Sequence, residues 1–292
     1  MQIGEALRTE RIKLGLTQNE MCSDIVSRSF YAKVEAGKNE IAADRLFRIL
    51  FLHNIDISEF NDLIQKTYNS DENNLRNDLE EKMAEAFSNK DVDSLTEYCQ
   101  KIITSTSDNI LKLRALVTVA YFKGDLKSID DATKQKLKEE FDEGNNWTVR
   151  PDLLRLFANT MPLWAQDELD FWVGRLLSSV KKTKFSSLML ERYLRIFENY
   201  LVTCYDRKIR NNTHGNHVEE IIKYIIANTD TYYLMIYRIN ALYMRALFTN
   251  QYQEAEEIKK DMKKYGYEKM INNWPHQSFI CIKYDTNRIG AK

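Results

Sequence analysis

Hydrophobic positions recur with a helical period along most of the chain. In the first segment Ile3, Ala6, Leu7 and Leu14 fall on one helical stripe. The same period predicts further helices over about residues 17–25, 28–36, 42–53 and 57–68. The run at residues 69–74 is polar throughout, so we place a domain boundary there. Residues that interrupt helices are scarce, with three prolines and nine glycines in 292 residues. This scarcity favours an all-α chain.

This pattern predicts two domains joined by a linker. We expect a five-helix N-terminal domain over residues 1–68, a linker with its own helix over residues 69–88, and a repeat domain over residues 89–292. A chain of 292 residues is long enough for two domains.

An internal repeat with a period near 40 residues follows the linker. LRLFAN at residues 154–159 is echoed by LRIFEN at residues 194–199, while LRAL at 113–116 and YRIN at 237–240 fall at similar intervals. Such a period is typical of tetratricopeptide-like helical hairpins, each of which buries one face on its neighbour. We therefore expect a right-handed solenoid with a concave inner surface. The alternative is a chance repetition in a leucine-rich chain.

The stretch over residues 15–40 has the spacing of a helix-turn-helix. Thr17 and Glu20 form a T-x-x-E capping box, and Ser27 is a favourable cap for the next helix. Gly37 follows the last turn of that helix, where glycine accepts the left-handed backbone. In a helix-turn-helix the second helix enters the DNA major groove. The spacing therefore predicts a DNA-binding domain.

Composition narrows the possible functions. The net charge of −1 gives no overall attraction to nucleic acid, and residues 1–68 carry nine Lys/Arg against ten Asp/Glu, so DNA binding must depend on local placement. No apolar run approaches the roughly 20 residues that span a bilayer, and the N-terminus lacks the pattern of a signal peptide. We expect a cytoplasmic protein with no membrane contact.

Motifs for catalysis and cofactor binding are missing from the sequence. There is no phosphate-cradling loop, dinucleotide fingerprint or nucleophile elbow, so we predict no catalytic residue, no cofactor and no enzyme activity. The four cysteines are scattered, which argues against a zinc or disulfide framework. His214 and His217 with Glu219 lie in a polar loop with few carboxylates, and we expect no metal site there.

Several stretches resemble known regulators. Two N-terminal stretches are similar to the phage-repressor-like (XRE) helix-turn-helix group. They are Gly15-Leu16-Thr17-Gln18 and Val34-Glu35 with Gly37-Lys38. Three further stretches look like those of the Rgg/GadR/MutR regulators of Gram-positive bacteria. They are SRSFYAKVEAGKNEIAADRLFRILFLHNIDISEF, Asn146-Trp147 before LLRLFANT, and LRIFENYLVTCYDRK. The resemblance implies a DNA-binding domain, a tetratricopeptide-like domain, a homodimer and, as in several members, a response to short re-imported peptides.

Six residues are predicted to contact DNA: Gln18, Arg28, Ser29, Phe30, Lys33 and Lys38. The resemblance implies that Gln18 contacts a phosphate and braces the recognition helix, and that Glu35 pairs with Arg11. Tyr31 and Val34 are three residues apart and share the buried face. The remaining side chains then point outward, where arginine can bind guanine and an aromatic ring can meet a thymine methyl. The alternative is a solvated helix face.

Six residues of the repeats are predicted to bind a peptide: Asn159, Asn199, Asn240, Arg155, Arg195 and Arg238. The asparagines recur in successive repeats, and amide side chains can both donate to and accept from a peptide backbone. The arginines beside them suit a peptide carboxylate. The alternative is that these side chains satisfy helix ends or face solvent.

Together these features predict a cytoplasmic, homodimeric transcription regulator of the quorum-sensing type. It binds a double-stranded DNA operator that is an imperfect palindrome, and its repeats sense a short signalling peptide. Two alternatives remain open: a regulator with no peptide ligand, and a protein–protein scaffold with a vestigial helix-turn-helix.

Overall fold

A computed structural model describes residues 1–89, 91–142, 146–181, 185–209, 215–272 and 274–275. Over these ranges the regular structure is helical, without strands, which confirms the all-α prediction. The chain divides into two compact units, Met1–Asn89 and Lys90–Lys292. No helix in the described part of the chain combines the length and the apolar character needed to cross a membrane.

The first unit begins with five short helices and ends with a longer one. Their bounds are α1 (Ile3–Lys13), α2 (Gln18–Cys22), α3 (Arg28–Glu35), α4 (Ala43–Leu52), α5 (Ile57–Tyr68) and α6 (Asp71–Asn89). All five predicted N-terminal helices are present. However, α2 ends at Cys22, because Ser23 takes a left-handed φ of 44°. The sixth helix begins earlier than predicted, where the Ser70 hydroxyl accepts the Asn73 N–H.

The core of the first unit joins α1, α3, α4 and α5. Leu7, Tyr31, Ile49 and Phe60 are buried in one cluster. Helices α1 and α3 approach each other closely, since a Cβ added at Gly4 would lie 1.9 Å from the Val34 carbonyl oxygen. Because glycine has no Cβ, the backbone of α1 at Gly4 can lie directly against the backbone of α3.

The second unit is a helical repeat. Its helices are α7 (Val92–Ser105), α8 (Asn109–Phe122), α9 (Asp131–Glu140), α10 (Pro151–Thr160), α11 (Gln166–Val180), α12 (Ser187–Asp206), α13 (Val218–Ala227), α14 (Met235–Phe248), α15 (Tyr252–Lys264) and α16 (Glu268–Ile271). Helices α8, α10, α12 and α14 pack against one another in order, and we call them the stacked layer. The four repeat segments of the sequence lie on these four helices, which confirms the repeat.

Aromatic side chains fill the core of the second unit around α10 and α11. Phe141 packs edge-on against Trp147, Phe157, Trp164 and Trp172, with ring centroids 5.4–6.2 Å apart. All five rings are buried. These aromatics are structural, since burial of large rings stabilises a core and removes them from solvent.

Candidate functional site

The helix-turn-helix is built by local capping. The Thr17 hydroxyl accepts the Glu20 N–H at 3.3 Å, and the Glu20 carboxylate accepts the Thr17 N–H at 2.7 Å. The hydrogen bond from the Thr17 backbone N–H is the main cause that lowers the pKa of Glu20. At the start of α3 the Ser27 hydroxyl accepts the Phe30 N–H at 3.3 Å. Gly37 ends that helix with a φ of 67°. The predicted capping box and caps are confirmed.

A carboxylate at the end of α3 joins three helices. Glu35 is buried and accepts from the Arg11 Nε at 2.6 Å, the Arg11 Nη2 at 3.1 Å and the Gln18 Nε2 at 2.9 Å. Burial opposes ionisation of Glu35, but the hydrogen bonds from Arg11 and Gln18 outweigh it and lower the pKa. Because Arg11 lies in α1 and Gln18 in α2, the cluster fixes the orientation of α3. The expected Arg11–Glu35 pair is confirmed.

The predicted DNA-contacting residues divide into exposed and partly covered ones. Arg28, Ser29 and Lys33 are exposed on α3, and Lys38 is exposed just beyond it. Phe30 differs from expectation, because its ring is half-buried and packs against the core of the first unit. The Gln18 amide nitrogen is directed at Glu35, which leaves its amide oxygen for other contacts. Contact of these residues with DNA stays a prediction.

Two of the predicted peptide-binding asparagines occupy equivalent places in the stacked layer. The Asn159 Nδ2 donates to the Thr118 Oγ1 at 3.5 Å, and the Asn199 Nδ2 donates to the Ala158 carbonyl at 3.4 Å. Each bond reaches back 41 residues, to the preceding helix of the layer. Asn159 is half-buried and Asn199 is exposed, so each retains access to solvent on one surface.

Asn240 does not join this accessible row. Its side chain is only 3% exposed, and its Oδ1 has no hydrogen-bond partner among the described residues. In the first two repeats an asparagine lies four residues after the arginine, but Asn240 lies only two residues after Arg238. A difference of two residues turns a side chain to another helix face. Of the three asparagines predicted to bind a peptide, Asn159 and Asn199 are therefore accessible to solvent and Asn240 is buried.

The three predicted arginines also have different surroundings. Arg155 and Arg195 are exposed, and the Arg195 Nη2 lies 2.7 Å from the Glu191 Oε1. Arg238 is half-buried and donates from Nη1 to the Ile226 carbonyl at 2.8 Å, near the end of α13. For Arg238 the structure favours the alternative in which the side chain satisfies a helix end.

Sequence reasoning missed two carboxylates of α12, Glu191 and Glu198. Glu191 accepts the Tyr237 hydroxyl at 2.9 Å in addition to Arg195, and the hydrogen bond from Arg195 is the main cause that lowers its pKa. Glu198 is half-buried, and burial raises its pKa to about 8. The signal for Glu198 was present in the repeat itself, since LRIFEN has glutamate where LRLFAN has Ala158.

We call the exposed side of α10 and α12 the layer surface. It carries six polar residues: Arg155, Asn159, Glu191, Arg195, Glu198 and Asn199. Amide, cationic and carboxylate side chains thus lie on two adjacent helices. This mixture suits a ligand with both amide and charged groups.

The histidine pair of the sequence does not build a described metal site. His214 lies outside the described residues. The His217 Nε2 is 3.1 Å from the Asp170 carbonyl, and the His217 backbone N–H donates to the Tyr200 hydroxyl at 3.0 Å. Within the described ranges no group of three or more potential ligands was found. His217 therefore links the start of α13 to α11 and α12.

The architecture defines the class of the protein: a helix-turn-helix unit followed by a helical repeat unit. Residues 7–60 match the family model described as helix-turn-helix. A search of the curated proteins found no match.

Solved structures share the fold over almost the whole chain. A protein from Listeria monocytogenes EGD-e described as a transcriptional regulator matches with a TM-score of 0.72 and 19% identity, over 92% of this chain and 93% of that one. The SHP pheromone receptor Rgg2 of Streptococcus dysgalactiae matches with a TM-score of 0.67 and 13% identity, over 93% and 96%. The complex of PrgX with cCF10 gives a TM-score of 0.62 and 17% identity, over 93% and 96%. The chain has the fold of Rgg2 and PrgX, which confirms the expected architecture.

Proposed function

We propose that this protein is a cytoplasmic transcription regulator that binds operator DNA through α3 and a short peptide through the layer surface. The observation that carries the proposal is the fold shared with Rgg2 and PrgX along both units. Rgg2 is described as a pheromone receptor, and PrgX is described in complex with cCF10. The layer surface of this chain offers amide and charged groups, which can hydrogen-bond to a peptide backbone and to charged groups of a peptide.

The DNA-binding role is supported by the charge on α3. Arg28 and Lys33 are exposed there, whereas the nearby acid Glu35 is buried and held by Arg11. The outward face of the helix is therefore cationic although the unit as a whole is not. Arginine bound to a guanine edge supplies sequence discrimination, while contacts to phosphate supply register.

A binding-site selection with the full-length protein and random duplex DNA tests this role. We expect an imperfect palindrome to be enriched, because a symmetric dimer presents two recognition helices. Arg28→Ala should then weaken binding to the enriched site by about 1–3 kcal/mol per half-site and relax the preference at one base pair in each half-site. Lys66→Ala, which removes an exposed cation of α5, is the matched control and should leave affinity unchanged. Equal losses on all sequences would assign Arg28 to the phosphate backbone.

The peptide-binding role is tested with a defined probe. The probe is a pool of octapeptides with Ile, Leu, Val, Phe or Gly at each position, incubated with the full-length protein. Peptides that co-elute with the protein are counted by mass spectrometry. Loss of a hydrogen bond to a bound backbone costs about 1–3 kcal/mol, so Asn159→Ala and Asn199→Ala should each reduce retention about ten- to a hundredfold. Unchanged retention in both folded variants would leave these asparagines a structural role.

A further inference from the structure

A cavity of about 1050 Å³ lies along one face of α11. The lining residues of that helix run from Gln166 to Ser179, a distance of about 20 Å at the helical rise. Thr148 and His217 also line the cavity, and none of its residues belongs to the layer surface. Pockets for small molecules have volumes of about 300–1,000 Å³. The second unit therefore has a cavity of ligand size apart from the proposed peptide site.

Packing of the start of α13 against α11 fixes one part of the cavity wall. A Cβ added at Gly174 would lie 2.5 Å from the His217 Nε2, so the absence of a side chain there lets the imidazole lie against α11. The His217 Nε2 is 3.1 Å from the Asp170 carbonyl oxygen, and the His217 backbone N–H donates to the Tyr200 hydroxyl at 3.0 Å. These contacts join α11, α12 and the start of α13 beside the cavity.

Asp170, in the cavity wall, has a carboxylate with one oxygen held in place. Its Oδ1 accepts the Tyr200 hydroxyl at 2.6 Å and the Gln166 Nε2 at 2.8 Å. No hydrogen bond from another described residue reaches its Oδ2. The carboxylate is therefore fixed in orientation and keeps the capacity to accept further hydrogen bonds.

A second carboxylate stands beside Asp170. Asp167 lies three residues earlier on α11, hence on the same face of the helix, and it also lines the cavity. Its side chain is exposed and makes no hydrogen bond or ion pair with the described part of the chain. The hydroxyls of Ser178 and Ser179, further along α11, already donate to protein oxygens at 2.8 and 3.4 Å. The end of the cavity near the two aspartates thus offers hydrogen-bond acceptors and negative charge.

An aromatic ring gives the cavity an apolar surface next to these carboxylates. Phe171 lines the cavity and is 60% exposed. The Arg175 guanidinium lies 5.7 Å from the centroid of the Phe171 ring. Two carboxylates against this one guanidinium make the described wall acidic, most strongly near Asp167 and Asp170.

We propose that this cavity binds a small organic cation, whose guanidinium or primary ammonium group lies between Asp167 and Asp170 and whose apolar chain packs on Phe171. Hydrogen bonds between charged groups are about twice as strong as neutral ones. A guanidinium can donate to both carboxylates at once, because its donors form a planar fork. The site is additional to the proposed DNA and peptide contacts and depends on neither.

Binding of three probes that share one hexyl chain tests the proposal on the full-length protein without DNA. The probes are hexylguanidinium, hexylammonium and hexanol, and titrations followed by ligand-observed NMR give their Kd values. We expect at least one cation to bind about tenfold more tightly than hexanol, since a hydrogen bond to a charged group contributes about that factor or more. Tighter binding of hexylguanidinium identifies the guanidinium as the preferred group, and the reverse order identifies the ammonium.

Substitution of each aspartate separates its charge from the fold. Asp170→Asn retains an oxygen for Tyr200 and Gln166 but replaces the other oxygen with an amide N–H group, so the preference for the cation should fall about tenfold. Asp167→Asn, at an exposed position, should lower it about three- to tenfold. Asp261→Asn removes the same charge from an exposed position of α15 and is the control; it should keep the preference.

Two further measurements complete the test. Phe171→Ala should weaken all three probes about equally, because the ring contacts the chain that they share. Thermal unfolding shows whether each variant is folded, and the exposed Asp167→Asn decides if Asp170→Asn is not. Binding of hexanol as tight as that of both cations overturns the proposal, as does an undiminished preference in the folded aspartate variants. An equal loss in Asp261→Asn also overturns it, since the preference would then reflect only the net charge of the protein.

Discussion

At the scale of single residues, two buried or half-buried carboxyl groups show how partners decide protonation. Glu35 has three hydrogen bonds, from Arg11 and Gln18, and its pKa is lowered. Glu198 has no such partner, and its pKa is raised to about 8. The first therefore stabilises the fold as an anion, whereas the second opposes the fold whenever it ionises. Hydrogen-bond partners therefore distinguish a carboxylate that stabilises the fold from one that does not.

The unpaired carboxyl predicts a specific dependence of stability on pH. The pKa of glutamate in an unfolded chain is about 4.3, and the folded value of Glu198 is about 8. Its contribution to the free energy of unfolding therefore falls as pH rises through this window and is then constant. Glu198→Gln should be more stable than the wild type by about 1–3 kcal/mol at pH 9, with solvent access limiting the gain, and equally stable at pH 4.

Urea unfolding of the wild type and Glu198→Gln at the two pH values measures this difference. Glu257→Gln is the control, since that side chain is exposed and should show no pH-dependent gain. The same difference between wild type and Glu198→Gln at pH 4 and pH 9 would contradict an unpaired carboxyl in the folded protein.

At the scale of helices, close packing of α1 on α3 places the recognition helix. A Cβ at Gly4 would lie 1.9 Å from the Val34 carbonyl oxygen and 3.4 Å from the Glu35 Cα. Alanine usually stabilises a helix relative to glycine by about 0.5–1 kcal/mol, but here the clash is with backbone, which has little freedom to move. We expect Gly4→Ala to destabilise residues 1–89 by about 1–3 kcal/mol and to weaken DNA binding.

Urea unfolding of residues 1–89, followed by circular dichroism, provides the measurement. Arg8→Ala, an exposed change in the same helix, serves as the control and should alter stability little. A stabilised Gly4→Ala variant would mean that α1 and α3 separate at little cost, and that their contact does not fix the position of α3.

The same scale shows which features the sequence could predict. The capping box at Thr17 was predictable because its partners are three residues apart, and the stacked layer because the repeat is periodic. The end of α2 was not, since Ser23 adopts a φ of 44° that serine rarely takes. Glu198 was not predictable from the residues that the repeats share, because it stands where the preceding repeat has Ala158.

At the scale of the whole molecule, each unit has its own hydrophobic core. One cluster includes Leu7, Tyr31 and Phe60, and the other extends along the stacked layer and its covering helices. Separate cores indicate that the units can fold as separate domains. The proposed DNA contact and the proposed peptide contact therefore belong to different units, because α3 lies in the first unit and the layer surface lies in the second.

Assembly is the last property that this organisation predicts. A single recognition helix makes too few base contacts for specific binding, so we expect two copies on a palindromic operator with recognition helices about 34–36 Å apart. We expect the dimer contact to lie in residues 90–292, since the first unit is small and its α3 is the helix proposed to contact DNA. Light scattering should give twice the monomer mass for the full chain and for residues 90–292, and a monomer for residues 1–89.

Inserting about five base pairs between the half-sites should abolish tight binding, because it turns them to opposite faces of the duplex. A monomeric fragment 90–292 at tens of micromolar, with a dimeric fragment 1–89, would instead place the contact in the N-terminal unit.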